Sequence, residues 1–260
     1  MQVDDFDELD YSVTDGVARI RLNRPDQLNA FTSRLYREFK WAVRQAGADP
    51  AVDVVVVTGT GRAFATGGDL KETLDRLESG DPLAMHAFFD NLPWSEIRSC
   101  PKVVVAAING LCLAGGLITA VCCDISVAVE SARFACTEGK VGIADALGPA
   151  LLHARVGTAK LKYLLLTGRM VDAREAERIG LITEVVPDDR LESRVAEIVA
   201  ELRETSPVAR RLFKEYANSH TPLPDGAGLL PALASPEVVE GLRAFAEGRK
   251  PDYRPEPPAP

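Results

Sequence analysis

Residues 103–117, VVVAAINGLCLAGGL, carry two signals that together set the architecture of the chain. Val103 to Ile108 is an unbroken apolar run, rich in β-branched side chains. A strand with one face in water alternates apolar and polar residues; a strand covered on both faces does not. The run therefore predicts a central strand of a largely parallel sheet. Asn109 to Leu117 is glycine-rich and ends where an apolar helix pattern starts. Strand, glycine loop and helix start, in that order, form the unit from which α/β folds are built.

The same order recurs outward from this stretch. Asp53 to Thr58, DVVVVT, is a second continuous run, followed by GRAFATGGDL at Gly61 to Leu70. Ile125 to Val129 is a third. Val17 to Leu22, VARIRL, alternates and predicts a half-buried strand. Leu35, Phe39 and Val43 repeat every four residues, which predicts an amphipathic helix over Ser33 to Ala48 with Thr32 or Ser33 as its cap. From Gly157 the pattern turns helical: Ala159 to Leu166, Ala173 to Ile179, Leu191 to Glu204, Ala209 to Ala217 and Pro236 to Gly248, broken by a short strand at Ile182 to Val186. No linker or composition break separates this part. The expected organisation is a core over residues 1–200 and a helical region over 201–260 that packs on the core or on a neighbouring subunit.

Composition narrows the function. The chain has 260 residues, 46% of them hydrophobic, enough for a substantial core. A net charge of −8 argues against nucleic-acid binding as a main role, because neutralising phosphates needs a basic face. No apolar run approaches the roughly 20 residues that a membrane helix requires. Met1 to Asp10 is acidic and lacks the apolar segment of a signal peptide, which leads to the expectation of a cytoplasmic protein. Cys100, Cys112, Cys122, Cys123 and Cys136 form no CxxC pair and read as reduced core residues. His86, His153 and His220 are isolated, so no metal site is expected. There is no GxSxG elbow and no G-x-G-x-x-G after a strand, which removes the serine-hydrolase and dinucleotide readings. The tail from Lys250 holds five prolines and is expected to be extended.

The two glycine junctions hold the chemistry. Backbone N–H groups at such places are unpaired, and glycine lets a ligand come close. Two of them can converge on one developing oxyanion. From spacing alone, two ordinary glycine turns explain the pattern equally well.

The wording of these segments resembles the crotonase (enoyl-CoA hydratase/isomerase) superfamily. The resemblance extends to LNRPDQLNAF at Leu22 to Phe31, CDISVAVESARFACTEGKVG at Cys123 to Gly142, LTGRMVDAREAERIGLITEVVP at Leu166 to Pro187 and EGLRAFAEGRKPDY at Glu240 to Tyr253. The pieces run in family order over almost the whole chain. The resemblance implies a ClpP-like fold of repeated ββα units with a helical C-terminal trimerisation region. It implies an acyl-CoA substrate, with coenzyme A carried by the thioester and no other cofactor, and a homotrimer or a dimer of trimers.

By the same resemblance, the oxyanion donors fall on Gly68 and Gly115. The family's usual triple glycine reads Ala114-Gly115-Gly116, and the small Ala114 is expected to leave the hole intact. Family hydratases carry two glutamates. The second matches Glu138, after Phe134; the first position holds Ile118, which cannot activate water. One carboxylate beside an oxyanion hole suits proton transfer alone, as in family isomerases of the Δ3,Δ2-enoyl-CoA type. Asp145 matches, with one gap, a catalytic aspartate of other members, and reads equally as a turn residue. Around the coenzyme, the resemblance points to Arg24, to backbone groups near Gln27 and Leu28, to Thr66, and to Phe245 and Lys250. His86 matches loosely a catalytic histidine of some members. Met85, Phe88 and Phe89 suggest an apolar acyl group.

Overall fold

The computed structural model describes residues 5–81, 88–144, 146–223 and 235–253. Met85, His86 and Asp145 therefore lie outside the described residues, as does most of the proline-rich tail.

Ten described strands form two sheets. The larger has the order β1 (Leu9–Thr14), β2 (Val17–Leu22), β3 (Val54–Gly59), β5 (Val103–Ile108), β7 (Ile125–Val129) and β10 (Glu184–Val186). Only β1 and β2 pair antiparallel; the others are parallel, with Val17 beside Val54 and Val54 beside Val103. Every residue of β3 and β5 is buried, which is the physical content of their unbroken apolar runs. The smaller sheet has the order β4 (Ala63–Ala65), β6 (Leu111–Leu113), β8 (Arg133–Ala135) and β9 (Val171–Asp172).

The chain visits the two sheets in turn. β3 and β4 lead into helix α2 (Leu70–Ser79), β5 and β6 into α4 (Gly115–Cys122), and β7 and β8 into α5 (Leu147–Thr167). This is the expected ββα repeat, and it brings the helix starts of successive repeats side by side. Close approach of α4 to β4 depends on glycine. At Gly116 an added Cβ would stand 2.2 Å from the Ala65 carbonyl oxygen.

Helix α1 (Ser33–Ala48) has the expected bounds, and the Thr32 hydroxyl accepts from the Leu35 N–H at 2.9 Å. α3 (Trp94–Ser99) precedes β5. The predicted helix at Ala159 is the second half of α5. Its first half escaped the periodicity reading because Gly157, at φ 69° and ψ 163°, breaks the helical pattern in the middle. α6 (Ala173–Arg178), α7 (Leu191–Arg203), α8 (Pro207–Ser219) and α9 (Pro236–Ala246) fall within two residues of expectation.

α8 is tied to the core by a buried ion pair. Lys214 Nζ donates to Asp124 Oδ2 at 2.8 Å and to the carbonyls of Ile97 and Lys102. Burial pushes the Asp124 carboxyl above its ordinary value, against the pull of Lys214. The five cysteines are free thiols and all buried, and burial lifts Cys122 to about 12, as an inert core residue requires. Among the described residues, no helix is long and apolar enough to cross a membrane.

Candidate active site

A cavity of about 730 Å³ opens between the helix starts of the first two repeats and α9. Gly68, Gly115, Ile118, Glu138, Gln27, Leu28, Thr66 and Phe245 all line it. Residues from five separated segments are thus brought together.

Gly68 is held by a piece of chain that precedes the repeats. Phe31 N–H donates to the Gly67 carbonyl at 2.7 Å, and Asp69 N–H donates to the Phe31 carbonyl at 2.8 Å. That is a parallel bridge between Phe31 and Gly68. In such a bridge both neighbours of the central residue bond to the partner, so the N–H of Gly68 itself turns to the opposite side. Asn29, fully buried, anchors the LNRPDQLNAF loop by donating to the carbonyls of Thr60 and Ala63. This side chain places Phe31 where the bridge can form.

Gly115 is the first residue of α4, so its N–H has no partner within the helix. The residue before it, Ala114, stands at φ 49° and ψ −127°, a conformation that favours glycine. The alanine is therefore accommodated under strain, and the helix still starts at Gly115. Below it, Trp94 Nε1 donates to the Thr119 hydroxyl, which donates to the Gly115 carbonyl at 2.9 Å. Ile118 follows within the first turn of α4 and is 2% exposed.

Glu138 opens the short 3-10 turn Glu138–Val141, directly after β8. Phe134 on β8 is fully buried and anchors the segment. The Glu138 carbonyl accepts from Ile143 N–H at 3.0 Å, closing the turn under the carboxylate. Its Oε2 is shielded from solvent. α9 lies across this turn, and Tyr253 Oη donates to the Lys140 carbonyl at 2.8 Å.

Comparison with known proteins fits this geometry. The family model "Enoyl-CoA hydratase/isomerase" matches residues 12–256. The chain belongs to the enoyl-CoA hydratase/isomerase family. It is 34% identical over 245 residues to a probable enoyl-CoA hydratase of Mycobacterium bovis, covering 91% of this chain and 94% of the relative. It is 35% identical over 246 residues to a probable enoyl-CoA hydratase of Rhizobium meliloti, covering 92% and 94%. Among solved structures, an enoyl-CoA hydratase from Mycobacterium avium subsp. paratuberculosis K-10 superposes with a TM-score of 0.79 at 31% identity, over 96% of this chain and 99% of that one. The crotonase fold is thereby shown.

Two of the expected coenzyme contacts in this family member do not reach the cavity. Arg24 is not among the lining residues. Its guanidinium is bound by Glu8 and Asp69, at 3.1 and 3.3 Å, and donates to the Ala30 carbonyl. It ties the loop to the cap of α2 instead. Lys250 is exposed and also lies outside the lining of its own chain's cavity, while the family resemblance has this residue often reach the site of a neighbouring subunit. The cations that do line the cavity are Arg62, Lys71 and Lys140. Sequence reading passed over them because an isolated basic residue in a loop gives no signal until a fold places it at a cavity.

Thr66 and Leu28 do meet, with the Thr66 hydroxyl donating to the Leu28 carbonyl. Leu28 stands at φ 52°, which swings this loop toward Thr66. The far wall is apolar and aromatic: Tyr36, Phe88, Phe89, Leu92, Trp94 and Leu147. Phe88 and Phe89 were expected there. Tyr36 and Trp94 were not, since an apolar stripe on a helix signals burial and not what the buried face looks onto.

Proposed function

We propose that this acyl-CoA enzyme is of the one-carboxylate isomerase type. Glu138 takes the α-proton of a 3-enoyl thioester. The electron pair forms an enolate whose oxygen is held by the N–H groups of Gly68 and Gly115, with the positive end of α4 behind them. Glu138 then returns the proton to the γ-carbon, and the double bond has moved into conjugation. Coenzyme A arrives on the substrate, and no resident cofactor is invoked.

The observation that carries this reading is Ile118. It is buried, lines the cavity, and stands where a family hydratase has its first glutamate. An apolar wall there disfavours an ordered water and lowers the local dielectric, which strengthens the oxyanion contacts. Arg62, Lys71 and Lys140 are proposed to face the coenzyme phosphates, with Phe245 against the coenzyme. Assembly into trimers is proposed on the exposed apolar face of α8, where Val208, Phe213 and Tyr216 are 60%, 71% and 64% exposed.

NMR in D2O with a 3-enoyl-CoA tests the mechanism. Deuterium at the α- or γ-carbon with a shifted double bond is expected. Glu138→Gln should lower turnover at least about 100-fold while coenzyme A ester binding persists. Unchanged turnover removes Glu138 from the mechanism.

The relatives' names favour a second reading, addition of water to a 2-enoyl-CoA. It requires another group to activate water, and Asp145 is the candidate from sequence. A 3-hydroxyacyl product that vanishes in Asp145→Asn would support it.

A further inference from the structure

We propose that the Tyr36 hydroxyl is a third hydrogen-bond donor to the thioester oxygen, beside Gly68 and Gly115. The proposal rests on the acyl-CoA reading above. Tyr36 sits on α1, is 2% exposed and lines the cavity. Its ring stacks on Phe31 with centroids 4.5 Å apart and planes 11° apart. Phe88 and Trp94 meet it edge-on, at 5.7 and 6.1 Å. Three aromatic neighbours leave the ring little freedom, so the direction of its hydroxyl is set by packing.

That direction is toward the seam between the two glycine junctions. A Cβ added to Gly115 would lie 3.0 Å from Tyr36 Oη and 3.5 Å from Gly67 Cα. The hydroxyl thus borders Gly115, close to where Gly67, the neighbour of Gly68, approaches it. The ring that positions it, Phe31, belongs to the residue whose backbone also orients Gly68. One short segment therefore fixes two of the three donors.

The chemistry gives a third donor something to do. A ground-state carbonyl oxygen accepts a third hydrogen bond weakly, whereas an enolate oxygen carries more charge and holds it strongly. A donor that bonds more strongly to the enolate than to the thioester raises turnover and hardly changes binding. The aromatic wall and Ile118 keep water away from it. A phenol is the strongest uncharged side-chain donor available, and its acidity lets the bond strengthen as charge develops.

The test uses butyryl-CoA labelled with 13C at the thioester carbonyl. It is saturated, so its bound state is stable, and the carbonyl stretch reads polarisation directly. Tyr36→Phe keeps the ring and its stacking and removes one oxygen. The bound carbonyl band should move back toward its free position, kcat with a 3-enoyl-CoA should fall about 10- to 100-fold, and the dissociation constant of butyryl-CoA should stay within about threefold. A 3-fluorotyrosine at position 36, a stronger donor of nearly the same shape, should move the band the other way. Binding with an identical band in all three proteins overturns the role of Tyr36 and leaves the acyl-CoA reading standing. No saturable binding of butyryl-CoA to the unaltered protein overturns both.

Discussion

Gly68 and Gly115 stand at corresponding places in successive repeats, and different forces hold them there. Gly68 is held by the hydrogen bonds that its neighbours Gly67 and Asp69 make with Phe31, and a Cβ there would meet only the Thr73 hydroxyl, at 3.8 Å. Gly115 is held by contact. Its own Cβ would crowd Tyr36 at 3.0 Å, and that of the adjacent Gly116 would strike Ala65 at 2.2 Å. Gly68 needs a backbone aimed in one direction. Gly115 and Gly116 need the absence of side chains, as does Gly67, whose Cβ would stand 2.6 Å from that of Ala114. Glycines of similar appearance in the sequence therefore differ in what a substitution does to them.

The largest difference should appear at Gly116. Gly116→Ala forces α4 away from β4, and a loss of about 3 kcal/mol or more is expected in denaturant unfolding. A loss below about 1 kcal/mol would mean that Gly116 is as yielding as Gly68. Thr119→Val comes next, because it leaves the Trp94 N–H buried without its acceptor. It should cost about 1–3 kcal/mol, and an unchanged unfolding midpoint would show that the network under Gly115 adds nothing. Ala114→Gly works in the opposite sense. Relief of the strain at φ 49° should raise stability by about 1 kcal/mol after the entropy of glycine is set against it. A lower melting temperature would show that the alanine is not strained. The smallest effect is expected from Gly68→Ala, within about 0.5 kcal/mol by the same unfolding assay, since neither space nor φ forbids the methyl group. Its activity need not be preserved, because the methyl group faces the substrate's space.

Much of this contrast could not be seen in the sequence. The central strands were legible because Val54 to Val57 and Val103 to Ile108 are covered on both faces and so lose all alternation. The two- and three-residue strands of the smaller sheet are too short to carry a period. Gly68, Gly115 and Glu138 were reachable through family resemblance, and the cavity does gather them. Arg24 was not, since a guanidinium satisfied by Glu8 and Asp69 reads the same in sequence as one that faces a phosphate. Tyr36 was hidden for a related reason. The fourfold repeat of Leu35, Phe39 and Val43 fixes which side of α1 is buried, but the stacking on Phe31 that aims the hydroxyl exists only after the loop before α1 has closed.

The ion pair between Asp124 and Lys214 has a consequence for synthesis. Asp124 stands just before β7 and accepts from Val104 N–H near the start of the neighbouring strand β5, at one end of the sheet. Its counter-charge lies 90 residues further along the chain. While the ribosome is still making that interval, the growing sheet holds a carboxylate without its ammonium partner, supported only by the Val104 N–H and the more distant charge of Arg98. Such a carboxylate is costly to bury. The nascent domain thus has a built-in delay: this end of its sheet cannot close fully until one of its last helices has emerged.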